Sequence, residues 1–231
     1  MEKENFISFI RENWLRLLIS ILLFVAVSGI IAGFFMRMSQ NKQFEELKNE
    51  MNQSFVELFQ ASQEAKFCLQ SEFLEDKKLI EECYTSLKNY KEKFNEVQLL
   101  LGKITDYFKK YQKSISDERD KKFIGDFIRF FESNYYKDMR DGILIYAGVL
   151  INFFDYLRTK DLDNLTNPEK AELRELIDDV ANTENSLIIK AKRLKNFLYE
   201  NFDEEFINYA KKYMPQILSI EDTLETEKRD N

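Results

Sequence analysis

Two cysteines, Cys68 and Cys83, are the only thiols in the chain, and their placement raises the first chemical question. Both fall on the apolar stripes of successive helical patterns, and a turn near residues 74–76 would set each about two helical turns from the bend. They would then face each other across a hairpin. Facing thiols can be oxidised to a disulfide in an oxidising compartment or can pack as small hydrophobic side chains, and the spacing fits both.

The remaining polar candidates are dispersed. Asn152, Asp155 and Glu184 interrupt apolar helix faces, and Tyr146 belongs to a run of aromatic residues at helical spacing with Tyr135, Tyr136, Phe153, Phe154 and Tyr156. Tyr146, Asn152, Asp155 and Glu184 are therefore the candidates for contact with a ligand or partner. The alternatives are plain aromatic core and polar residues that fix helix register. Lys190, Lys192, Arg193 and Lys195 could touch anionic headgroups, but spread around their helix they fit a solvated face better.

The chain holds no histidine, which removes imidazole acid-base catalysis, Ser-His and Cys-His nucleophile pairs and most zinc chemistry. No pair of carboxylates is singled out by spacing. No catalytic residue, metal site or cofactor is therefore expected. The net charge is −7, with basic residues mixed among a larger number of acidic ones, so the chain as a whole has no long-range attraction for nucleic acid.

The elements that carry these residues follow from composition and period. Six Gly and two Pro are too few punctuation marks for many short strands and tight turns, so the chain reads as all-α. Its longest apolar run, Leu17 to Met36, is 20 residues without a charge. At about 1.5 Å per residue it spans a hydrocarbon core of roughly 30 Å. Trp14 and Arg16 stand at one end and Arg37 at the other, as at headgroup level.

A cleaved signal peptide is the alternative, with Lys3, Arg11 and Arg16 as its basic region and Ala26-Val27-Ser28 as a small-x-small site. Cleavage there would leave an apolar new terminus beginning at Gly29, so an uncleaved signal anchor fits better. The slight excess of positive charge on the N-terminal side places the helical domain outside the cytoplasm, on a single-pass protein of the plasma (inner) membrane. Within the run, Ser28 and Ala32, then Gly29 and Gly33, form small-xxx-small pairs, with Ala26 one turn earlier. Such a face lets two membrane helices approach closely.

Residues 1–16 thus read as a short flank, 17–36 as the transmembrane anchor, 37–218 as a helical bundle domain and 219–231 as a flexible tail. A first stripe runs through Phe44, Leu47, Met51, Leu58, Ala61, Ala65 and Cys68. The next, Ile80, Cys83, Leu87, Tyr90, Phe94, Val97, Leu101, Ile104, Phe108 and Tyr111, keeps a heptad without a miss. A third helix is expected from about Asp117 to Arg158, apolar nearly all round between Ile143 and Leu157, as a buried core helix or a partner-facing one is. Asn167 is expected as N-cap of a fourth helix with Pro168 at its first position, and a short helix from about Asp203 stops before Pro215.

The expected fold is therefore a single N-terminal transmembrane helix followed by an antiparallel helical bundle with coiled-coil-like packing. The function expected of it is that of a non-enzymatic, membrane-anchored scaffold or regulatory subunit of a larger assembly. Its partner would be another protein or a second copy, met through the membrane helix. The alternative is an extracytoplasmic four-helix-bundle module that senses or binds a ligand.

Overall fold

The computed structural model describes residues 42–68 and 76–213, and that part of the chain is all-helical. It contains α1 (Lys42–Phe67), α2 (Lys77–Tyr111), α3 (Glu118–Glu132), α4 (Asn134–Thr159), α5 (Asn167–Asn201) and α6 (Glu204–Tyr213), with a 3₁₀ turn at Gln112–Ser114. The expected membrane helix at 17–36, its small residues Ala26, Ser28, Gly29, Ala32 and Gly33, and the tail at 219–231 lie outside the described residues. Among the described residues no helix is long and apolar enough to cross a membrane.

The heptad of α2 becomes its packing face. Ile80, Cys83, Leu87, Tyr90, Phe94, Val97, Leu101, Ile104 and Phe108 are all buried, each of the larger ones stabilising the fold by about 1.5–3 kcal/mol. Leu100, Thr105 and Tyr107 are buried as well. The C-terminal half of α2 is therefore covered over more than one seam, because α1, α3 and α4 all pack against this helix. The chain starts α2 with an Asp76 carboxylate that accepts from the Lys78 amide at 2.8 Å.

The long helices pack in the order α1, α2, α4, α5. Contacts at the two ends of each pair fix the directions. Lys93 meets Glu57 at 2.9 Å and Lys103 meets Glu50 at 3.3 Å, so α1 and α2 are antiparallel. The Tyr136 hydroxyl donates to Gln98 Oε1 at 3.1 Å, while Arg158 reaches Glu81 at 3.2 Å, which makes α2 and α4 antiparallel too. Between α4 and α5, the Tyr156 hydroxyl donates to the Glu169 carbonyl at 2.6 Å, and the Tyr135 and Phe197 rings stack at 4.7 Å. α4 is thus flanked on both sides, which explains why its sequence is apolar nearly all round.

The single helix expected over Asp117 to Arg158 is instead two. Ser133 adopts an extended backbone (φ −60°, ψ 147°), and its hydroxyl oxygen accepts from the Tyr136 amide at 3.1 Å while the hydroxyl donates to the Phe130 carbonyl at 2.7 Å. One serine closes α3 and caps α4, with no Gly or Pro needed. The fourth helix also begins one residue earlier than expected. Thr166, not Asn167, is its N-cap, in a capping box with Glu169 at N3, and Pro168 is the second helical residue. Hydrogen bonds from the Thr166 amide and hydroxyl, then from Lys160, pull the Glu169 carboxyl down to about 2.

At the far end of the bundle, α3 and α6 are held by rings. Phe130, fully buried, lies against Phe131, Tyr136, Phe202 and Phe206, and Phe123 also meets Phe206. Lys122 pairs with Asp203 and Arg119 with Glu205 at the rim of this cluster.

Candidate functional site

α2 and α4 leave an open groove of about 520 Å³ along their seam. Lys91 and Asn95 line it from α2, and Leu144, Ile145, Gly148 and Asn152 are among the α4 residues facing them. The missing side chain of Gly148 helps create the space, since a Cβ there would come within 3.4 Å of Lys91 Nζ. Ile145 is 54% exposed, and Leu99, one turn beyond Asn95 on α2, is 70% exposed. The groove therefore offers apolar walls, one cation and two amides. It can hold a surface of mixed apolar and hydrogen-bonding character but brings together no nucleophile or acid-base pair.

Of the four residues singled out as ligand or partner contacts, only Asn152 reaches this groove. Tyr146 and Glu184 are instead both buried, on α4 and α5, near enough for the Glu184 charge to act on the Tyr146 phenol. Burial first, and the Glu184 carboxylate second, push the Tyr146 phenol well above its ordinary range. Asp155 instead pairs with Arg158 at 2.7 Å, and the Arg158 guanidinium lies 4.1 Å from the centre of the Tyr84 ring. The four candidates thus occupy three separate places. Tyr136, Phe153, Phe154 and Tyr156 are core residues, while Tyr135 stacks on Phe197 at the surface.

Lys91, Asn95 and Gly148 escape a reading based on apolar period, because they fall off the stripes. The signal that could have marked them is a glycine in the middle of an apolar helix. The two thiols, by contrast, stand where the stripes put them: Cys68 and Cys83 are buried and free, and Cys83 is the nearest influence on the Cys68 thiol. Among the described residues no group of three His, Cys, Asp or Glu side chains is placed to hold a metal ion.

Two glycines of α4 should respond oppositely to the same substitution. Gly148→Ala is expected to stabilise the bundle by about 0.5–1 kcal/mol, because the methyl meets only ordinary van der Waals contact and the helix gains propensity. In Gly142→Ala the methyl would lie 3.0 Å from Lys190 Cδ and 3.1 Å from Leu187 Cδ1. Lys190 can swing aside, but Leu187 is packed in the core, so overpacking of about 1–3 kcal/mol outweighs the helix gain. Urea denaturation of the two variants measures both signs; a stabilised Gly142→Ala protein would show that the α4–α5 contact is looser than described.

Comparison with protein-family models, with curated proteins and with solved structures finds no match for this chain, so what the bundle does has to be read from its own residues.

Proposed function

We propose that the chain is a non-enzymatic, single-pass membrane-anchored protein whose helical bundle acts as a scaffold or regulatory subunit of a larger membrane-associated assembly. Residues 17–36 are the anchor in the plasma (inner) membrane, and the bundle stands on the extracytoplasmic side. The observation that carries this reading is the charge-free run from Leu17 to Met36 ahead of a chain that folds into long helices. Support for a partner surface comes from the α2–α4 seam, where Leu99 and Ile145 hold large apolar side chains in solvent beside a groove. The partner is a protein or a second copy of this chain, and the small-residue face of the anchor offers a second point of contact.

A photo-crosslinking residue at position 145, compared with one at the equally exposed Ile189 on α5, tests the reading in intact membranes. Protein adducts are expected from position 145, absent from position 189, and lost when Leu99 is replaced by Glu. Adducts of equal yield from both positions, or from neither, would sink the scaffold reading. A ligand-sensing module is the second reading, favoured by the convergence of Lys91, Asn95 and Asn152 on one groove. In that case position 145 would trap a small molecule instead of a protein.

A further inference from the structure

Cys68 follows the last residue of α1 and Cys83 lies in the second turn of α2, at 4% and 3% exposure. Both belong to the same buried core, each thiol near enough for Cys83 to act on Cys68, and the Cys68 thiol lies 3.6 Å from the Glu64 carbonyl. The ion pairs Glu57–Lys93 and Glu50–Lys103, farther along the same seam, hold the two helices in the register that brings these thiols together. Their proximity is thus a property of helix packing and needs nothing from residues 69–75, which lie outside the described residues.

We propose that Cys68 and Cys83 are a covalent modification site, closing into a reversible intramolecular disulfide that locks the α1–α2 hairpin. The inference stands independently of the membrane anchor and of any partner at the α2–α4 groove. The oxidant is a small-molecule disulfide of the glutathione class. One cysteine thiolate attacks it, the oxidant's S–S bond breaks, and a mixed disulfide forms as one glutathione leaves. The second cysteine then displaces the other glutathione. Two electrons pass from the cysteine pair to the oxidant, and the two cysteine protons end on the released glutathione thiols.

The surroundings make the reaction slow. The neighbouring Cys83 thiol and burial both raise the Cys68 thiol far above its ordinary range, so a Cys68 thiolate is scarce while the hairpin is closed, and both thiols are shielded from a bulky oxidant by burial. Exchange waits for local opening of the α1 terminus. A pair buried in this way is a slowly exchanging structural lock and is poorly suited to fast redox sensing.

The test equilibrates purified full-length protein in detergent micelles with defined ratios of reduced and oxidised glutathione, in native buffer and in concentrated urea. Free thiols are then alkylated and the species counted by mass. The expected result is an unalkylated species lighter by two hydrogens, formed with an equilibrium constant at least about tenfold larger in native buffer than in urea, since a fold that holds two thiols together favours their bond by the same factor by which the bond favours the fold. Cys68→Ser and Cys83→Ser variants should each leave only a mixed disulfide. Equal constants in the two solvents, or a native product dominated by glutathione adducts or linked dimers, would overturn the proposal. The solvent comparison uses the unaltered chain, so it stands whether or not either variant folds.

Discussion

Replacing Phe130 with alanine is expected to destabilise the bundle by about 3–5 kcal/mol, the range found when a fully buried aromatic side chain is truncated and its site collapses only in part. Phe130 ties four segments together. It sits on α3, meets Tyr136 at the start of α4, and packs against Phe202 between α5 and α6 and Phe206 on α6. None of these neighbours can move into the vacated space without giving up its own ring contacts, which is why the upper half of the range is expected. In thermal unfolding the loss corresponds to a drop in Tm on the order of 10 °C for a domain of this size. Ile189→Ala, at a half-exposed position on α5, should change stability by no more than about 0.5 kcal/mol. Similar effects in the two variants would mean that the ring cluster does not hold the end of the bundle.

Deleting residues 17–36 is expected to move the protein from a carbonate-resistant membrane pellet to the soluble fraction. The run carries no charge, and a helix of that length matches the hydrocarbon thickness. The deletion leaves every described helix intact, so the circular dichroism of the released bundle should keep the helical signal and its cooperative melt. The double variant Gly29→Leu and Gly33→Leu separates anchoring from association: it should stay in the membrane but pair less in an assay of membrane-helix dimerisation, because the added side chains hold the backbones apart. Full-length protein recovered in the soluble fraction, or a mature chain beginning at Gly29, would sink the anchor reading.

The heptad of α2 was legible in full because a helix packed on neighbours over its whole length buries one side chain each half-heptad, and the sequence repeats at that period. Every member from Ile80 to Phe108 is buried, and Tyr111 packs at the edge of the core. The all-round apolar stretch after Gly142 correctly marked a central helix. Ser133 was not legible. A serine between Glu132 and Asn134, with no Gly or Pro beside it, reads as a tolerated helix residue, and whether its hydroxyl serves the helix or caps a new one depends on the angle at which α3 and α4 must leave it.

The polar candidates show the same division. Tyr146, Asn152, Asp155 and Glu184 all stand out from their sequence neighbours, yet they face three different places, since the angular position of each on its helix, together with the packing order α1, α2, α4, α5, decides what it meets. The groove residues Lys91, Asn95 and Gly148 could not be paired in advance, because they lie on different helices and off the apolar stripes that a period detects.

By itself, then, the sequence determined the all-helical class of the described residues, the buried heptad of α2 and the exclusion of histidine-based chemistry, because these depend on residue type and spacing along one chain. Only the tertiary structure decided that α3 and α4 are separate, that α4 is flanked by α2 and α5, and that Asn152 opens onto a groove while Glu184 is buried beside Tyr146. Those outcomes depend on which helix lies next to which, and a periodic stripe specifies that a face is covered without specifying what covers it.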